Sequence, residues 1–328
     1  MRRSLVIITA ALCALFGSEI AHGATLEVGP GKTYTKVSAA IKAAASGDTI
    51  EVSPGTYTND FAQINKDLTI KGLAGKARPH LQATTQISNG KGIFVIGGTA
   101  KVVVERLEFS GAKVKDKNGA GIRMQGSSLE VRDCYFHDNQ NGILSGGAVP
   151  HTVHIERSEF ANNGNQGSGY EHNIYISGDC TEFTLRESYS HGAKSGHNVK
   201  SRAKLNYILY NRIMDEATGT ASYSVDLPQG GRSYVIGNLI QQGPKAENKG
   251  TILSYKAEGA TNPILELFVI NNTFVNDSGK TNTNFVRAKT ATKAWLINNL
   301  FIGPGNMLSL GSANADKKDQ GNLKAQAN

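Results

Sequence analysis

The stretch Val104-Glu105-Arg106-Leu107-Glu108-Phe109 (VERLEF) returns as Val131–Phe136 (VRDCYF), Ile155–Phe160 (IERSEF) and Leu185–Ser190 (LRESYS). It returns again as Ile208–Ile213 (ILYNRI), Val235–Ile240 (VIGNLI), Val269–Phe274 (VINNTF) and Leu296–Phe301 (LINNLF). The spacings are 27, 24, 30, 23, 27, 34 and 27 residues. Each copy alternates apolar positions without an internal proline, which is strand behaviour. A unit this short cannot bury its apolar face alone, so the copies must stack into an array.

A second set of strands interleaves with the first. It reads GIFVI around Ile93, GIRMQ around Ile122, GILSG around Ile143, HNIYI around Ile174, HNVKS around Val199 and YSVDL around Val225, with weaker copies at TILSY, NFVRA and MLSLG. Two or three short strands per repeat, parted by Gly, Asn, Ser and Asp turns, describe an all-β, single-stranded, right-handed parallel β-helix. Parallel strands stack about 4.8 Å apart, so nine coils make a rod of roughly 43 Å. Asn211, Asn238, Asn272 and Asn299 hold one phase of four successive repeats and are expected to form an amide ladder along the axis. Lys36–Ala45 carries Val37, Ala40, Ile41 and Ala44 at helical spacing and is expected to cap the first coil.

The ends and the bulk properties narrow the class. Arg2 and Arg3, the apolar run Leu5–Phe16 and the small residues around His22 read as an export signal over 1–23. That run is too short for a membrane span. Residues 24–312 form the β-helix domain, and 313–328, polar and without periodicity, read as a flexible tail. Without the signal the chain holds 33 basic and 26 acidic residues, net +7. That charge suits nucleic acid, an acidic glycan or a membrane surface. Export and the lack of basic runs with interleaved aromatics argue against nucleic acid, and an acidic polysaccharide or oligosaccharide fits best as the partner of a periplasmic or secreted monomer. Cys134 and Cys180 sit at different phases about two repeats apart, which disfavours a bridge.

Alternation also sorts the second strand set. If Ile174, Val199 and Val225 point inward, Tyr175, Lys200 and Asp226 point outward one coil apart, with Arg123 two coils before Tyr175 and Leu144 between. His172 and His197, again one coil apart, lie at the column's edge with Asn173 and Asn198; Glu171 and Arg202 flank them. This is the densest titratable cluster in the chain, a candidate for acid–base work. Its bland counterpart is a polar ladder on an exposed sheet. Pairing with Asp226 suits Lys200 to recognising a carboxylate rather than abstracting a proton. Two stacked histidines resist joint protonation, so at least one stays neutral and available as a base.

The opening VGPGKTYTKVSAAIKAAASGDTIEVSPGTY (Val28–Tyr57) resembles the start of secreted pectate-lyase-like β-helix proteins. That resemblance implies the fold across the mature chain. It leaves activity open, because the superfamily holds lyases, hydrolases, esterases, epimerases and non-catalytic adhesins. The stretch HNVKSRA (His197–Ala203) loosely resembles the Lys-Ser segment of alginate and chondroitin lyases of this fold. In those families a basic residue follows one coil later, where this chain has Asp226.

Cleavage of a uronate polymer by β-elimination needs a cation for the carboxylate, a base for the neighbouring proton and an acid for the leaving oxygen. Lys200, Arg202 and Arg123 are the candidate cations; His197, His172 or Lys200 the base; Tyr175 the acid. Asp226, Asn173, Asn198 and Glu171 are candidate substrate contacts. The acidic cluster that holds calcium in pectate lyases is missing, so no metal and no cofactor is expected. Glycoside hydrolysis needs two carboxylates at a set separation, and Asp226 has no outward partner on an adjacent coil. A uronate C5-epimerase, which shares the proton abstraction, and a non-catalytic carbohydrate-binding protein are the alternatives. Gly164–Gly169 (GNQGSG) reads as a turn rather than a phosphate loop.

Overall fold

The computed structural model describes residues 23–147, 149–165, 170–259, 262–311 and 315–326. The expected export signal up to His22 and most of the Gly164–Gly169 turn lie outside these residues.

The repeated segment is a strand, a bend and a second strand. Its first residues end the strands of a 12-stranded sheet I, which runs from Thr25–Val28 to Asp316–Gln320. Its last residues open the strands of an 11-stranded sheet II, from Thr56–Thr58 to Leu323–Ala325. The bend falls on the third residue, which is left-handed in every copy: Arg106, Asp133, Arg157, Glu187, Tyr210, Asn271 and Asn298 have φ between 45° and 57°, and Gly237 takes φ 69°. Seven non-glycine residues in that region each carry strain of order 1–2 kcal/mol. The stacked coil imposes it at the same place each turn.

The second strand set is the 10-stranded sheet III, from Ala62–Ile64 to Asn306–Leu310. Neighbouring strands in all three sheets pair in parallel, one coil to the next. The fold is thus the expected right-handed parallel β-helix, with about 11 turns rather than nine. The undercount arose at the ends, where the apolar pattern thins although the backbone ladder continues. The polar tail shows this most plainly: Asp316–Gln320 and Leu323–Ala325 are strands that pair with Lys293–Ile297 and Leu300–Ile302. All of their residues are exposed, so the strands there leave no hydrophobic period to read.

The core consists of columns of stacked side chains. Val104, Val131, Ile155, Leu185, Ile208, Val235, Val269 and Leu296 are fully buried. Phe109, Phe136 and Phe160 stack with centroids 4.9 and 4.8 Å apart. Each such side chain contributes about 1.5–3 kcal/mol through burial. The predicted Asn ladder is present and longer than expected. Each Asn Nδ2 donates to the next Oδ1 from Asn211 through Asn238, Asn272 and Asn299 to Asn322, at 2.8–2.9 Å.

The capping helix α1 (Val37–Ala43) forms where its pattern placed it, burying Val37, Ala40 and Ile41 over the first coil. Asp60 accepts from the Val37 and Ser38 N–H groups, satisfying donors that a helix start leaves open. Cys134 and Cys180 are buried free thiols. Among the described residues no helix is long and apolar enough to cross a membrane.

Candidate functional site

Sheet III positions the expected column as read. Tyr175 registers with Lys200, Lys200 with Asp226, Leu144 with Tyr175 and Arg123 with Leu144. Ile174, Val199 and Val225 point inward and are fully buried, so their neighbours point out. Outward here does not mean solvated. Lys200 is 7% exposed and Asp226 2%, at the floor of a groove of about 880 Å³.

Charges in the groove are matched. Lys200 Nζ lies 3.3 Å from Asp226 Oδ2 and 3.0 Å from Glu258 Oε1. The other Glu258 oxygen takes an Arg202 N–H, and Arg202 Nε donates to Tyr175 Oη at 3.0 Å. Burial pushes the Asp226 carboxyl up to about 6, against the pull of Lys200. Burial would raise Glu258 too, but hydrogen bonds from Arg202 and Lys200 outweigh it and hold that carboxyl below its usual range. Both acids face Lys200, an arrangement suited to ion pairing rather than to holding a metal.

The histidines form a dry pair beside this cluster. Their rings lie 4.9 Å apart, and His172 stacks on Tyr175 at 5.4 Å. Burial, reinforced by the Lys200 and Arg202 cations, pushes His172 down to about 3. Burial, then His172 and the same cations, take His197 well below its ordinary value. Both are therefore neutral near pH 7, where sequence reasoning secured one.

The hydrogen bonds assign their tautomers. His172 Nδ1 accepts the backbone N–H of His197 at 3.0 Å, so its proton sits on Nε2. His197 Nδ1 approaches the same atom at 3.1 Å and is the nitrogen that carries hydrogen. That leaves the His197 Nε2 lone pair 3.6 Å from Asp226 Oδ2. Gly196, at φ 61°, makes this possible: a Cβ there would stand 1.9 Å from Glu171 O and 2.6 Å from His172 Nδ1.

Three expected contacts lie elsewhere. Asn173 and Asn198 are fully buried in a second interior amide ladder. Asn163 donates to Asn173, Asn173 to Asn198, and Asn198 to the buried Asp215. Strict alternation would turn both outward beside the inward Ile174 and Val199. Asn173, however, just precedes the strand Ile174–Ile176 and Asn198 is the second residue of His197–Ser201, and at this N-terminal edge of sheet III both side chains join the ladder. Glu171 is fully buried and does not line the groove. Arg123 does line it, with Nε buried and lacking a hydrogen-bond partner among the described residues.

Sequence reasoning missed Glu258 and Tyr223. Tyr223 registers with His197 and stacks on it at 5.3 Å, so the 26-residue step already applied to Lys200 would have found it. Glu258 comes from the loop after Thr251–Tyr255, anchored by its N–H on Pro228 O at 3.2 Å and by Lys256 N–H on Leu227 O at 2.8 Å. A loop has no period, and no sequence signal marks it.

No family model and no curated protein matches this chain. Among solved structures, the PL6-family alginate lyase AlyGC aligns with 12% identity and TM-score 0.53, over 92% of this chain and 39% of its own. A mutant of that lyase gives 16% identity and TM-score 0.54, over 97% and 41%. The GH136 lacto-N-biosidase from Eubacterium ramulus gives 12% and 0.50, over 93% and 68%. The chain spans about two fifths of the length of the alginate lyase structures it matches. At such identities the likeness establishes the shared fold, the one expected from the Val28–Tyr57 segment.

Proposed function

We propose that the sheet III groove binds an acidic, uronate-containing polysaccharide and cleaves it by β-elimination. The observation that carries this reading is the Glu258 carboxylate seated on Lys200 and Arg202. The two cations already hold a carboxylate, on a loop, in a desolvated groove that also contains an uncharged base. A uronate carboxylate is the same chemical group. Arg123, whose Nε has no hydrogen-bond partner among the described residues, supplies a further donor for an oxygen-rich ligand.

The roles follow from position. A substrate carboxylate replaces Glu258 on Lys200 and Arg202, which neutralise it and acidify the proton on the adjacent carbon. His197 Nε2 takes that proton, and Asp226 steadies the imidazolium that forms. The electron pair of the broken C–H bond forms the new C=C bond as the glycosidic C–O bond breaks. The Tyr175 hydroxyl, its oxygen held by Arg202, gives its proton to the leaving oxygen. His172 orients His197 through their shared nitrogen contact. The net charge of the chain and the reading of 1–23 as an export signal suit a protein meeting such polymers outside the cytoplasm.

Incubation with alginate, pectate and glycosaminoglycans, read by absorbance of the unsaturated product, tests the proposal. Product from one class of polymer is expected. Retained binding with no product on any of them would overturn the lyase reading; proton exchange without chain cleavage would mark a C5-epimerase.

A further inference from the structure

On sheet II, away from the groove, Leu81, Phe109 and Phe136 point into the core and are fully buried. Alternation therefore turns His80, Glu108 and His137 outward from three successive coils, the strands His80–Gln82, Glu108–Ser110 and Tyr135–His137. His80 registers with Glu108, while His137 registers with Ser110, two residues further along. One donor atom from each of the three converges within 4.8 Å of the others.

The convergence has a polarity that needs a cation. His137 Nδ1 is 2.8 Å from Asp138 Oδ2, so Nδ1–H donates there and Nε2 keeps its lone pair. That lone pair faces Glu108 Oε1 at 3.1 Å. His80 Nε2 faces the same oxygen at 3.6 Å and contacts Ser110 Oγ at 2.7 Å. His137 Nε2 and Glu108 Oε1 thus face each other as two acceptors, a contact that either an added proton or a metal ion satisfies, with His80 Nε2 beside the same oxygen. Ligands 2.0–2.2 Å from a tetrahedral zinc stand about 3.4 Å apart, and the two separations to Glu108 bracket that value. Asp138 behind His137 is the outer carboxylate that commonly fixes the tautomer and orientation of a metal-bound imidazole.

We propose that His80 Nε2, Glu108 and His137 Nε2 form a binding site for a borderline divalent metal, zinc(II) in the first instance, oriented by Asp138 and with one coordination position open. It does not depend on the reading of the groove. The site escaped sequence reading because its ligands come from three coils and two phases of the strand, in a sheet whose outward residues otherwise look like ordinary surface.

Zinc titration of the tag-free full chain by calorimetry, with cobalt(II) absorption as a second readout, tests it. The expected result is one saturable site per chain, lost in Glu108→Gln and in His137→Gln. Asp138→Asn, at an exposed position, should keep the fold and weaken zinc about 10–100-fold. His154→Gln, which removes a histidine facing Glu182 at 3.7 Å on sheet I, should leave affinity unchanged. No saturable zinc binding, or equal losses in His137→Gln and His154→Gln, would overturn the proposal, the proton then being what bridges the cluster.

Discussion

Glu258 Oε1 sits 3.0 Å from Lys200 Nζ, although the two residues are 58 apart in the chain. The Glu258 side chain is half exposed while that of Lys200 is buried, so a solvent-facing acid covers a desolvated cation. In the proposed mechanism Glu258 occupies the substrate carboxylate's place and must yield it.

Replacing it should therefore help binding. Glu258→Gln is expected to lower KM for an acidic oligosaccharide several-fold while changing stability by less than about 1 kcal/mol, because the pair is partly solvated. Steady-state kinetics and denaturant midpoints measure both. A raised KM would mean that Glu258 organises the cations rather than competes for them.

The two asparagines of Asn271-Asn272 should respond very differently. Asn272 is 1% exposed and bonds Asn299, Asn238 and the carbonyls of Val235 and Ile270. Asn272→Ala orphans several of these groups at about 1–3 kcal/mol each and should cost at least about 3 kcal/mol by urea unfolding. Asn271, exposed at φ 56°, serves only the bend, so Asn271→Gly should stay within about 1 kcal/mol of wild type. Similar losses at both positions would contradict the ladder's role.

Asp215 closes the second ladder, accepting from Asn198 and from the Gly243 N–H. Burial pushes its carboxyl up to about 6 from 3.8. A carboxyl raised on folding contributes stability that is present below its unfolded value and lost as pH climbs through its folded one. Wild type should thus lose ground to Asp215→Asn by up to about 3 kcal/mol between pH 4 and 7. Unfolding series on both proteins across that window read the difference; a constant gap would place Asp215 at an ordinary value.

What the sequence made legible was whatever repeats. The period of about 27 residues placed the sheets, the Asn ladder and the Tyr175–Lys200–Asp226 column, because a stacked coil converts sequence interval into spatial neighbourhood. It was weak where period and burial part company. Asp316–Gln320 continues the ladder of backbone bonds with no buried side chain to betray it. Asn173 and Asn198 turn inward at the N-terminal edge of sheet III, against strict alternation. Glu258 enters from a loop, and His80, Glu108 and His137 meet across sheet II by a diagonal that no single phase contains.

The central claim, that Lys200 and His197 carry an elimination reaction in this groove, is tested most directly by comparing kcat for wild type, Lys200→Ala and His197→Gln. The readout is the rate of unsaturated-product formation on the polymer that wild type cleaves, with circular dichroism verifying each fold. Losing a positioned base or a charge-neutralising cation should cost at least about 100-fold in kcat. Folded variants that turn over at the wild-type rate would contradict the account and leave the column a structural feature of the sheet.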